Sequence, residues 1–87
     1  MNSRTTDRFW DGYRSLPMHV KLQAREAYQI FRFNPRHPGL HFKKVISDPP
    51  TYSVRVGIGY RALGVTDGDT IVWFWIGTHA EYDRILA

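Results

Sequence analysis

Eighty-seven residues with 43% apolar content predict one small domain, 1–87, built on a single core, and the absence of cysteine excludes a disulfide scaffold or a thiolate metal site. The longest apolar run, Ile71 to Ile76, is too short to cross a bilayer, and the polar start MNSRTTDRF lacks the apolar stretch of a signal peptide, so a soluble cytoplasmic protein with no membrane partner is expected. The net charge of +4 is unevenly spread: Arg32, Arg36, Lys43, Lys44, Arg55 and Arg61 face one acid, Asp48, whereas Asp67, Asp69, Glu81 and Asp83 face only Arg84. A basic middle segment points to a polyanionic partner, either nucleic acid or an acidic protein.

Thr6 followed by Asp7 predicts a helix start, and Phe9, Trp10, Tyr13 and Leu16 then share one helical face. Pro17 stops that helix and suits the first turn of the next. Val20, Ala24, Ala27, Tyr28 and Phe31 recur at spacings of three and four, which predicts an amphipathic helix ending at Asn34-Pro35. The stretch NPRHPG is a loop, because two prolines and a glycine cannot continue a helix. The first third therefore reads as a helical hairpin.

The remainder reads as sheet. HFKKVI (His41 to Ile46) predicts a first strand, closed by Asp48-Pro49-Pro50. Tyr52, Val54, Val56 and Ile58 alternate with Ser53, Arg55 and Gly57, the period of a half-buried strand. Gly57 and Gly59 mark a reversal, and Asp67-Gly68 marks a hairpin turn, since such turns need positive φ. TIVWFWIG is apolar on both faces and predicts a central strand covered on both sides. His79 to Leu86 predicts one or two closing helical turns. The expected fold is α+β: a helical hairpin on a twisted, mainly antiparallel sheet of about four strands, whose last strand is central.

Register around the reversal decides what Arg55 faces. A three-residue loop sets Val56 against Tyr60 and Arg55 against Arg61, two like charges that repel unless an anion lies between them. A two-residue loop sets Arg55 against Ala62. Pattern alone leaves both open.

The ordered set NPRHPGLHFKKV, YSVRVGIGYRALGV and DGDTIVWFWIGTHAEYDRIL resembles the RelE/ParE superfamily of type II toxin–antitoxin toxins, from about Phe9 to Leu86. The resemblance implies a helical hairpin on one face of a twisted sheet and a concave basic face on the other. It also implies a ribosome-dependent mRNA endoribonuclease, needing no cofactor or metal and held off by a cognate antitoxin. The part of the superfamily resembling ParE instead inhibits DNA gyrase by binding, and a non-catalytic member that only binds antitoxin is a third reading. Fold alone does not choose among them.

By that resemblance Arg61 matches the strand arginine that holds the scissile phosphate, and Arg55 assists it. His79 stands where the family places a catalytic His or Arg, and an imidazole, with an unperturbed pKa of about 6.5, can carry a proton either way. Tyr82 is expected to stack on a base or donate a proton, against a packing role. Lys43 and Lys44 match a basic, RNA-contacting stretch on the first sheet strand, where some members use lysine as phosphate clamp or base; on a regular strand only one of them faces the site. Glu81 is read as a capping carboxylate before a base, and His37 and His41, in or after the NPRHPG loop, as surface histidines before RNA contacts. The four histidines lack metal-ligand spacing.

Overall fold

The chain first commits to a helix at Thr6, whose backbone is extended (φ −105°, ψ 163°) and whose hydroxyl accepts the Phe9 amide at 3.2 Å. That bond satisfies one of the orphan donors at the start of helix α1, Asp7–Arg14, and Asp7 and Arg14 complement its dipole at either end. The computed structural model describes residues 1–87. Helix α2, Met18–Phe33, enters at Pro17 (φ −57°) and ends at extended Asn34 before Pro35. A 3₁₀ turn, Pro38–Leu40, follows and ends at His41, which is left-handed (φ 47°, ψ 41°).

Five strands form one sheet: β1 (Asn2–Thr5), β2 (Lys43–Ile46), β3 (Thr51–Val56), β4 (Tyr60–Asp67) and β5 (Thr70–Thr78). Their spatial order is β1-β5-β4-β3-β2. Helix α3, His79–Leu86, closes the chain. The sheet thus has one strand more than the sequence predicts, and β1 runs parallel to β5 while every other pair is antiparallel. The reason β1 escapes sequence reading is physical. Its side chains are polar and largely exposed, and backbone bonds hold it, among them Asn2 N–H to the Asp69 carbonyl at 2.8 Å. Strand β2 begins at Lys43, not His41, and β4 occupies the centre in place of β5.

The apolar run of β5 also has a different cause from the expected two-sided cover. Leu63 pairs with Trp75 and Gly64 with Trp73, so Phe74 is an extra residue, a β-bulge. The bulge changes the alternation, letting Trp73 and Ile76 both point into the core while Val72, Phe74 and Trp75 are half-buried. Helix α1 lies over β5 and α2 over β3, burying Leu16, Val20, Phe31, Val54, Val56, Ala62, Ile71, Trp73 and Ile76. Phe31 meets Trp73 edge-on at 5.4 Å, which ties α2 to the sheet centre. No helix is long and apolar enough to cross a membrane.

Gly12 lets α1 sit directly on β5, since a Cβ there would lie 2.9 Å from the Ile76 carbonyl oxygen. Backbone cannot yield as a side chain does, so Gly12→Ala is expected to cost about 1–3 kcal/mol as an overpacked contact. That outweighs the roughly 1 kcal/mol by which alanine favours a helix. Urea denaturation measures the sign; a stabilised variant would mean α1 is not pressed onto the strand.

Candidate functional site

Three residues, Gly57, Ile58 and Gly59, make the β3–β4 turn, with Gly57 left-handed at φ +59°. The register is therefore Val56 with Tyr60 and Arg55 with Arg61. Because partners share a face, both guanidinium groups stand on the side of the sheet away from α1 and α2. Arg61 in turn pairs with Gly77 on β5, where the Trp75 indole and the Glu81 carboxylate already fill the place a Cβ would take. On the other flank, His41 Nε2 lies 3.4 Å from Arg55 Nη1.

One step along the sheet, Lys43, Ser53, Leu63 and Trp75 form the next row on this face. Helix α3 packs over β4 and β5 here. Its Tyr82 is only 7% exposed and donates its hydroxyl proton to Ser53 Oγ at 3.2 Å. The helix start is fixed by a reciprocal capping box: Thr78 Oγ1 accepts the Glu81 amide at 3.1 Å, and Glu81 Oε1 accepts the Thr78 amide at 3.0 Å. His79 N–H donates to the Gly59 carbonyl at 2.8 Å, joining the helix to the hairpin tip. The His79 Nδ1 atom lies 3.1 Å from Asp83 Oδ2, one helical turn on.

The charges are unbalanced where the arginines meet. Only two ion pairs form in the structure, Arg14–Asp11 and His79–Asp83, and neither reaches Arg55 or Arg61. Arg61 donates to the Tyr60 carbonyl at 2.9 Å and Arg55 Nε to the Gly57 carbonyl at 3.0 Å. Burial, and then the facing charge of Arg55, hold the Arg61 guanidinium below its ordinary pKa, while Tyr82 and Asp83 pull the other way. The group stays cationic, so two adjacent cations face solvent without a carboxylate between them. Uncompensated positive charge of this kind attracts anions.

The residues singled out from sequence are distributed as follows. Arg55, Arg61 and Lys43 share the face, with His79 at the head of α3 beside it. Lys44 does not join them: it pairs with Tyr52, on the helix side, and its Nζ lies 5.9 Å from that ring's centroid. Tyr82 is buried with its hydroxyl engaged, the packing arrangement. Glu81 is held in the cap, and His37 Nδ1 accepts the Gly39 amide in the 3₁₀ turn. Of the neighbours, His41 was read as a surface histidine and Asp83 was given no role of its own. Asp83 was legible as the i+4 partner of His79, whereas His41 needed the β2–β3 register. No group of three His, Asp or Glu side chains is arranged to hold a metal ion.

A family model described as the ParE-like toxin domain matches residues 18–84. Among solved structures, a chain of the RelB–RelE antitoxin–toxin complex from Methanococcus jannaschii aligns at TM-score 0.76 with 18% identity, covering 97% of this chain and 99% of that one. The YoeB/ParE toxin from Agrobacterium tumefaciens aligns at 0.71 with 14% identity, covering 91% and 99%. The intact RelBE toxin–antitoxin complex of E. coli aligns at 0.66 with 18% identity, covering 87% and 93%. At these identities the likeness is one of fold. No curated protein matches the chain.

The cap carries a pH signature. Hydrogen bonds from the Thr78 amide and then its hydroxyl hold the Glu81 carboxyl below its ordinary pKa of 4.5. A depressed carboxyl stabilises the fold fully above its unfolded pKa and loses that contribution as pH falls through the folded one. Thermal melts between neutral pH and pH 3 are expected to show this loss, and Glu81→Gln to remove that part of the acid dependence. Thr78→Ala is expected to cost about 1 kcal/mol at neutral pH. An unchanged melt would mean the cap does not hold α3.

Proposed function

The chain belongs to the ParE-like toxin domain family, and from that premise we propose that it is the toxin of a toxin–antitoxin pair and cleaves mRNA on the ribosome. The observation that carries the cleavage reading is the uncompensated Arg55–Arg61 pair beside a His79–Asp83 pair. Cleavage by the 2′-OH requires cations on the phosphate oxygens and groups to take and return protons. Arg61 binds the scissile phosphate, Arg55 shares its charge, and Lys43 meets a neighbouring phosphate. His79 transfers the proton at one end, with Asp83 holding its ring. Tyr82 serves by fixing α3 rather than by giving up its proton.

Ribosome dependence rests on the family likeness. A cognate antitoxin is supported by the Methanococcus jannaschii and E. coli neighbours, whose structures are antitoxin–toxin complexes. The basic face asks for an acidic partner segment, and Ile58, 85% exposed at the hairpin tip, offers it an apolar contact.

A second reading is favoured by the description of the matching family: a ParE-like inhibitor of DNA gyrase that acts through contacts alone. In that reading the arginine pair binds an acidic surface and no bond is broken.

Inducing the protein and mapping mRNA 5′ ends separates the two. Wild type is expected to cut, Arg61→Ala to lose about 10²–10³-fold, and His79→Ala about 10²–10⁴-fold. Arg61→Ala should melt no lower than wild type, because it relieves like-charge repulsion. Intact mRNA with broken DNA would replace the nuclease reading by the gyrase one.

A further inference from the structure

His41 is the side chain that the site recruits without any role assigned to it. It is exposed, it ends the 3₁₀ turn in the left-handed region, and its N–H donates to the Pro38 carbonyl at 3.3 Å, so its backbone is fixed. The 3.4 Å contact of its Nε2 with Arg55 Nη1 sets its ring beside that guanidinium. One row runs Arg55, Arg61, Gly77, with the His41 ring against Arg55 at one end. His79 is joined by its N–H to the Gly59 carbonyl at the hairpin tip, so one imidazole stands at the Arg55 flank and the other at the tip.

The contact with Arg55 also indicates which form of His41 is present. A guanidinium has donors only, so a hydrogen bond at 3.4 Å requires Nε2 to be the acceptor, with the ring proton on Nδ1. The charged group in contact with His41 is Arg55 from β3; no carboxylate lies within ion-pair distance of it. In that form Nε2 carries a free lone pair, which is what a proton acceptor must present. His79 is set up differently, with Nδ1 turned to Asp83 and Nε2 left for substrate.

We infer that His41 is the general base of the cleavage reaction, opposite His79 as the acid. This rests on the nuclease reading above. The phosphate draws Arg55 onto its oxygens and frees Nε2 of His41. The 2′-OH proton passes to that nitrogen, the 2′-oxygen bonds to phosphorus, and the phosphorus–5′-oxygen bond breaks. The leaving oxygen takes a proton from His79, giving a 2′,3′-cyclic phosphate and a 5′-hydroxyl. Exchange with water then returns both histidines to their starting forms.

The test uses the full chain on ribosomes programmed with mRNA, comparing wild type, His41→Asn and His41→Gly. Both replacements tolerate a left-handed backbone, so the fold should survive, which melting temperature checks. Cleavage is expected to fall about 10²–10⁴-fold in both. Binding of an mRNA carrying a 2′-deoxy nucleotide at the cleavage position should be unchanged. Added imidazole should restore part of the activity of His41→Gly. Cleavage by His41→Asn within a few-fold of wild type would overturn the assignment and leave the nuclease reading intact. Lost cleavage with weakened 2′-deoxy binding and no imidazole rescue would make His41 a binding or structural residue and overturn it equally. A wild type that cuts nothing would overturn the nuclease reading itself and this inference with it.

Discussion

The register of the β3–β4 hairpin is the constraint on which the molecule depends. Gly57 takes the left-handed conformation that a three-residue turn needs, and Arg55 then falls opposite Arg61. The same register sets Val54 opposite Ala62, and Ala62 opposite Ile76, in the row that packs beneath the helices. Core and charge are thus fixed together. A slip of one residue would turn every side chain of β3 to the wrong face, exposing Val54 and burying Arg55. The hydrophobic effect therefore enforces the approach of two cations that would otherwise avoid each other.

That approach has a cost, and the surroundings limit it. Water reaches both guanidinium groups, each is anchored through a backbone carbonyl, and Asp83 and Tyr82 offset part of the repulsion at Arg61. None of these contacts neutralises the pair outright, as a carboxylate between the two would. Such a residue of unbalanced charge is what stability alone would remove, and it is the kind of feature that functional sites retain. Its electrostatics suit a phosphate diester in the nuclease reading and an acidic protein surface in the other.

The legible parts of the fold were those with a short-range signature. The Thr6 start, the Pro17 entry, the period of α2, the alternation of β3 and the Asp67-Gly68 turn each follow from local stereochemistry, and each is where it was expected. Strand β1 was not legible because its pairing uses backbone groups common to any sequence. The bulge at Phe74 was hidden for a related reason: four apolar residues in a row satisfy two-sided cover and a shifted alternation equally well. Among candidate site residues, Arg61 and His79 were named through resemblance alone, and the Arg55–Arg61 facing was one of two registers the pattern allowed. The division between Lys43 and Lys44 followed from alternation, but which of them faced the arginines did not. The contact of His41 with Arg55 joins a left-handed residue before β2 to the neighbouring strand, which no local pattern contains.

Helix α3 shows how far site geometry depends on packing that looks merely structural. Eight residues form too short a helix to be stable alone in water. Its position is set by the capping box at Thr78 and Glu81, the bond from His79 N–H to Gly59, and the buried hydroxyl of Tyr82 on Ser53. Each of these lies within one turn of His79, and together they anchor the helix to the same hairpin that carries the arginines. A buried tyrosine at this point thus needs no chemical role to matter. By holding α3 against β3 it fixes the distance between an imidazole on one element and a guanidinium pair on another. In a site whose parts come from four separate segments, that distance is what burial supplies.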